Sequence, residues 1–62
     1  MYTQINNDTD YRDKLYQADY AFDRGDIRTA LGYYLSCQLY AERKGMSTSY
    51  IDMKIRECKA KL

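Results

Sequence analysis

Residues 20–37 read YAFDRGDIRTALGYYLSC, and Gly25 within that stretch stands between two runs of apolar residues at helical spacing. Upstream, Tyr11, Leu15, Ala18 and Phe22 recur at i, i+4, i+7 and i+11, the repeat of a single helix face. Downstream, Ile27, Ala30, Leu31, Tyr34, Cys37 and Ala41 form one side of a second run, with Tyr33, Leu35, Leu39 and Tyr40 flanking it. Glycine tolerates the left-handed conformation that ends a helix, so Gly25 is the expected stop. Asp26 is the expected N-cap of the next helix, because its carboxylate can accept from free amides of the first turn. A connection of about two residues makes the two helices antiparallel neighbours. The second helix, apolar over much of its circumference, is expected to be central and to touch a neighbour on each side.

Working outward in both directions extends the same pattern. Towards the N-terminus, Asp10 is the expected cap of the first helix, and residues 1–8 read as a flexible tail. Towards the C-terminus, Gly45 ends the second helix, and Ser49 with Asp52 has the spacing of a capping box. A third helix follows, with Ile51, Ile55, Cys58 and Leu62 on its apolar face and Lys54, Arg56, Lys59 and Lys61 among its polar residues. The expectation is an all-α, three-helix antiparallel bundle, a single helical domain over residues 1–62, with helices at about 10–24, 27–44 and 50–61. The chain opens with Met1 and is expected to be one small domain, of a size that buries only about 60% of the surface its unfolded chain exposes.

Composition removes several function classes. There is no histidine, so histidine general-base and triad chemistry has no residue to use. Cys37 and Cys58 are the only cysteines, too few for a structural zinc set; each lies on its helix's apolar stripe, and they read as free thiols buried in the interface of the second and third helices, in a reducing, cytoplasmic compartment. Asp8, Asp10 and Asp13 do not form a calcium loop: counted from Asp8, the sixth and twelfth places hold Asp13 and Asp19 where that loop needs glycine and glutamate. No GxxxxGK phosphate loop, signal-peptide-like run or bilayer-spanning apolar stretch is present in the sequence. The expected chain is non-enzymatic, without cofactor or metal.

Charge is balanced overall at +1 but divided along the chain. Residues 1–26 carry six Asp against Arg12, Lys14 and Arg24, whereas residues 43–62 carry six basic residues against Asp52 and Glu57. Eight tyrosines accompany one Phe and no Trp. They lie mainly on the first two helices, away from the basic tail, which favours packing and protein contact over base stacking.

The order Ala18, Ala21, Phe22, Gly25, Asp26, Ile27, Ala30, Leu31, Tyr34, Cys37 resembles a tetratricopeptide repeat, the 34-residue helix-turn-helix unit. The likeness spans roughly residues 10–44, and the third helix then looks like the solvating helix that closes such arrays. Lys14 and Gln17 stand where that family usually carries an aromatic residue and a leucine, and no proline closes the repeat. The chain also resembles the microtubule-interacting-and-trafficking domain, a three-helix bundle with similar Ala-Leu and Tyr-Tyr pairs in its second helix. Both resemblances imply recognition of a peptide or helix of a partner protein, as an adaptor or inhibitor. The groove implied lies between the first and third helices and carries Arg12, Asp19, Asp23, Lys54, Glu57 and Lys61.

Two alternatives accompany this reading: a nucleic-acid binder using the basic third helix, and a self-assembling structural subunit. For the second, Gly32, Leu35 and Leu39 form a side stripe of the second helix, with Arg28 and Arg43 at its ends, that the main apolar face does not need. A glycine inside a helix is about 1 kcal/mol less favourable than alanine, which makes this stripe the candidate seam of a homodimer; the other reading is that the N-terminal tail covers Leu35 and Leu39 through Tyr2 and Ile5.

Overall fold

A computed structural model describes residues 4–62 and contains three helices: α1 (Asp8–Arg24), α2 (Ile27–Lys44) and α3 (Ser49–Lys61). The chain is a three-helix antiparallel bundle in which α2 packs against both α1 and α3. Both turns are built on glycine. Gly25 and Gly45 have φ of 88° and 73°, the left-handed region where a side chain is strained. At each, the helix closes with paired backbone bonds: Asp26 N–H to the Ala21 carbonyl and Gly25 N–H to that of Phe22, then Met46 N–H to Ala41 and Gly45 N–H to Glu42. These bonds satisfy carbonyls that the end of a helix would otherwise leave unpaired.

The helix starts differ from the sequence expectation. Asn7, not Asp10, caps α1: its backbone is extended and its side chain accepts from the Asp10 amide at 2.7 Å. Asp8 and Asp10 therefore lie in the first turn, where negative charge complements the helix dipole. Of the tail expected over residues 1–8, residues 1–3 lie outside the described residues, while Ile5 is buried in the core and Asp8 is already helical. Asp26 occupies the N-cap position of α2 without a side-chain capping bond, and its backbone carbonyl accepts from Ala30 at 3.1 Å. Thr48, one residue before the expected cap, precedes α3; its hydroxyl donates to Asp52 at 3.0 Å, and Ser49 is helical.

The core runs through Tyr11, Ala18 and Ala21 of α1, Ala30, Tyr34, Cys37, Tyr40 and Ala41 of α2, and Ile51, Ile55 and Cys58 of α3. Leu15 and Phe22, expected on the main face of α1, are half-buried at its edge, because Ala21 turns inward and lets the backbones approach. Leu62 is 61% exposed: it lies past the last turn of α3, beyond the core that Ile51, Ile55 and Cys58 enter. Cys37 faces α1, with its sulfur 3.8 Å from the Tyr11 carbonyl oxygen, instead of the α2/α3 seam. Burial pushes its thiol up to about 12, with Asp19 and Asp10 adding to the shift, and burial also raises Cys58. Both thiols are free and buried.

Candidate interaction surface

Tyrosine in a core brings a hydroxyl that must find a partner. Here the carboxylates of α1 supply it. Tyr40 stacks on Tyr11 with ring centroids 5.3 Å apart, and its hydroxyl donates to Asp8. That bond, with burial, pushes the Tyr40 phenol up to about 12. Tyr34, 0% exposed, donates to Asp19, and burial followed by this bond raises its phenol strongly. Tyr50 of α3 donates to the same Asp19 oxygen at 2.9 Å. One carboxylate thus joins all three helices.

The edge where α1 meets α3 continues from that junction. The Lys54 ammonium lies 3.7 Å from the centroid of the Phe22 ring, and that of Lys61 lies 5.8 Å from it. A cation held over a ring face is attracted by its quadrupole, and the lysine stem shields the ring from water. Lys54 also faces Glu57 at 3.9 Å, a loose surface pair. On the far side of α3, Asp52 accepts from the Gln38 amide at 2.9 Å, tying α3 back to α2.

The six residues expected in the groove are thus not equivalent. Asp19 and Lys54 take part in the α1/α3 junction itself, and Lys61 approaches it. Arg12 and Asp23 are exposed on the Asp19 side of α1, seven residues before it and four after, and Glu57 is exposed on α3. The sequence reading missed the surface aromatics: Tyr16 and Tyr20 are 72% and 56% exposed, and Tyr50 is exposed beside Asp19. Tyr16 follows Arg12 by four residues and Tyr20 precedes Asp23 by three, so each tyrosine adjoins one of these charges on the helix surface. The available signal was their phase, since Tyr16 and Tyr20 fall outside the i, i+4, i+7 repeat of the α1 apolar face. The Arg24 guanidinium lies 5.4 Å from the Tyr20 ring centroid.

On α2, Leu35 and Leu39 are 36% and 44% exposed, and Gly32 is half-buried. Ile5, one of the two tail residues expected over them, is buried in the core cluster while both leucines stay exposed; the other, Tyr2, lies outside the described residues. Among the described residues, no group of three or more Cys, Asp or Glu is placed to hold a metal ion, and no helix is long and apolar enough to cross a membrane. The chain matches no family model, no curated protein and no solved structure.

Proposed function

We propose that this chain is a small non-enzymatic interaction module that binds a helical or extended segment of a partner protein across α1 and its edge with α3. The observation that carries the reading is the exposure of Tyr16 and Tyr20 beside Arg12 and Asp23. Large, stiff amphipathic side chains ringed by charge are the usual energetic centre of a protein contact. Glu57 and Lys61 on α3 extend the charged rim, while Asp19 and Lys54 hold the two helices together beneath it. A mixed rim of this kind favours a partner segment with both signs of charge. The resemblance of the hairpin to a tetratricopeptide unit supports the same class of function, and two buried free thiols support a reducing, cytoplasmic setting.

The nucleic-acid alternative has less support, because Lys54 is directed onto Phe22 and the two most exposed tyrosines, Tyr16 and Tyr20, lie on the acidic helix. Affinity capture from host extract with wild type and with Tyr16→Ala/Tyr20→Ala tests the proposal. Expected is a protein retained by the wild type and lost with the double variant, both variants being equally helical. Equal retention by the two would overturn the reading, as would tight binding of duplex DNA or RNA that collapses with added salt.

A further inference from the structure

The exposed stripe of α2 lies away from the residues through which α2 meets α1 and α3, and it has an internal symmetry. Arg28, Gly32, Leu35, Leu39 and Glu42 follow one another at spacings of four, three, four and three, the repeat of a coiled-coil seam. Arg28 lies seven residues before Leu35 and Glu42 seven after, so the ends of the stripe carry opposite charges two helical turns from its centre. Both are exposed. Neither takes part in an ion pair among the described residues, where the pairs are Lys14 with Asp10 and Asp13, and Lys54 with Glu57.

We infer that this face is the seam of an antiparallel homodimer, with a two-fold axis passing beside Leu35. The axis sets Leu35 against its own copy, Leu39 against the partner's Gly32, and Arg28 against the partner's Glu42. Each contact then occurs twice. A large side chain meets a residue with no side chain, and a cation meets an anion, which is the self-complementarity that an isologous interface requires. A parallel pairing would instead bring Arg28 to Arg28 and Glu42 to Glu42. The seam spans about 21 Å at 1.5 Å rise per residue, nearly all of α2. It gives the two leucines a cover that the chain's own described residues do not provide, and a chain this short gains stability from association. The inference does not rest on the α1/α3 reading, since it uses a different face.

Sedimentation equilibrium over a range of concentrations tests it, with circular dichroism as the check on folding. The wild type is expected to dimerise reversibly and Leu35→Glu to stay monomeric at every concentration. Arg28→Glu and Glu42→Arg each place two like-charge contacts in the seam and should weaken the dimer about tenfold. The double reversal Arg28→Glu/Glu42→Arg restores both pairs and should return the dimer to within about threefold of wild type. A wild type that remains monomeric at high micromolar concentration overturns the inference. So does a double reversal as weak as the single ones, or single reversals without effect, the latter being the signature of a parallel or different seam.

Discussion

Replacing Asp19 by alanine removes the acceptor shared by Tyr34 and Tyr50, and the two tyrosines should respond unequally. The Tyr50 ring is exposed, so water can take over its hydrogen bond and the loss there should be about 0.5 kcal/mol. Tyr34 is 0% exposed, and its hydroxyl would be left in the core without its carboxylate. An orphaned buried hydroxyl costs about 1–3 kcal/mol. The expected total is about 2 kcal/mol, against a stability on the order of 3–9 kcal/mol for a chain of this length. At about 4–8 °C per kcal/mol for a small domain, the thermal midpoint should fall by roughly 10–15 °C. Tyr34→Phe leaves no orphaned donor in the core, so Tyr34→Phe/Asp19→Ala should be less destabilised than the sum of its single variants, with a coupling of about 1 kcal/mol. Thermal denaturation followed by circular dichroism reads all three variants. A midpoint for Asp19→Ala within about 3 °C of wild type, or strict additivity in the cycle, would refute the claim that this carboxylate joins the helices.

Other expectations follow from the same geometry. Gly25→Val should destabilise by about 1–2 kcal/mol in urea denaturation through backbone strain alone, because a β-carbon there would meet nothing within 4 Å while φ is 88°. Asn7→Ala should cost about 1 kcal/mol through loss of the cap on α1, whereas Asp26→Ala, with no side-chain capping bond to lose, should change the urea midpoint little. Both cysteines should resist a thiol reagent in the native protein and react once it is unfolded; rapid labelling of Cys37 in the native state would contradict its burial. Stability should decline in alkali: the folded values of Cys37 and Tyr40 are raised from 9.0 and 10.0 to about 12. The folded state therefore retains protons that the unfolded chain releases. Their contribution is complete below pH 9 and is lost as pH rises towards 12, which urea midpoints measured across that window would show.

The bundle was legible because its punctuation is chemically unambiguous, while its fine register was not. Gly25 and Gly45 are the only glycines outside a periodic apolar run, and each takes the left-handed conformation that ends a helix. The start of α1 offered no such signal: residues 6–10 are Asn, Asn, Asp, Thr and Asp, all of them competent caps. Tertiary contacts break that tie, since starting at Asn7 allows Ile5 to enter the core and Asp8 to reach Tyr40. The position of Cys37 on the apolar stripe of α2 pointed to the α2/α3 interface, but that apolar side is broad enough to serve both neighbours, and Cys37 faces α1. In the interaction surface, Asp19 read as a charge in line with Arg12 and Asp23; its engagement by Tyr34 and Tyr50 spans 15 and 31 residues, beyond the reach of periodicity. The clue was its place at the edge of the apolar face between Leu15 and Phe22, in a chain that uses tyrosine where others use phenylalanine.

That preference for tyrosine bears on how the helices find their alignment. Small residues at Ala18, Ala21, Ala30 and Ala41 let backbones approach but tolerate sliding, because one alanine packs much like another. Tyr34 and Tyr40 do not tolerate it: a shift of α1 against α2 by a single turn, about 5.4 Å, would carry Asp19 and Asp8 away from both hydroxyls, leaving that of Tyr34 unpaired in the core and that of Tyr40 without its carboxylate at the core's edge. Two such bonds at separate levels of one helix pair thus fix its register where apolar packing alone would leave it loose. Replacing both tyrosines by phenylalanine keeps the packing area and removes this discrimination. The expected product is a chain of near-native helicity whose core amide and ring resonances are broadened by exchange between registers, and sharp, singly dispersed spectra from that variant would show that packing is sufficient.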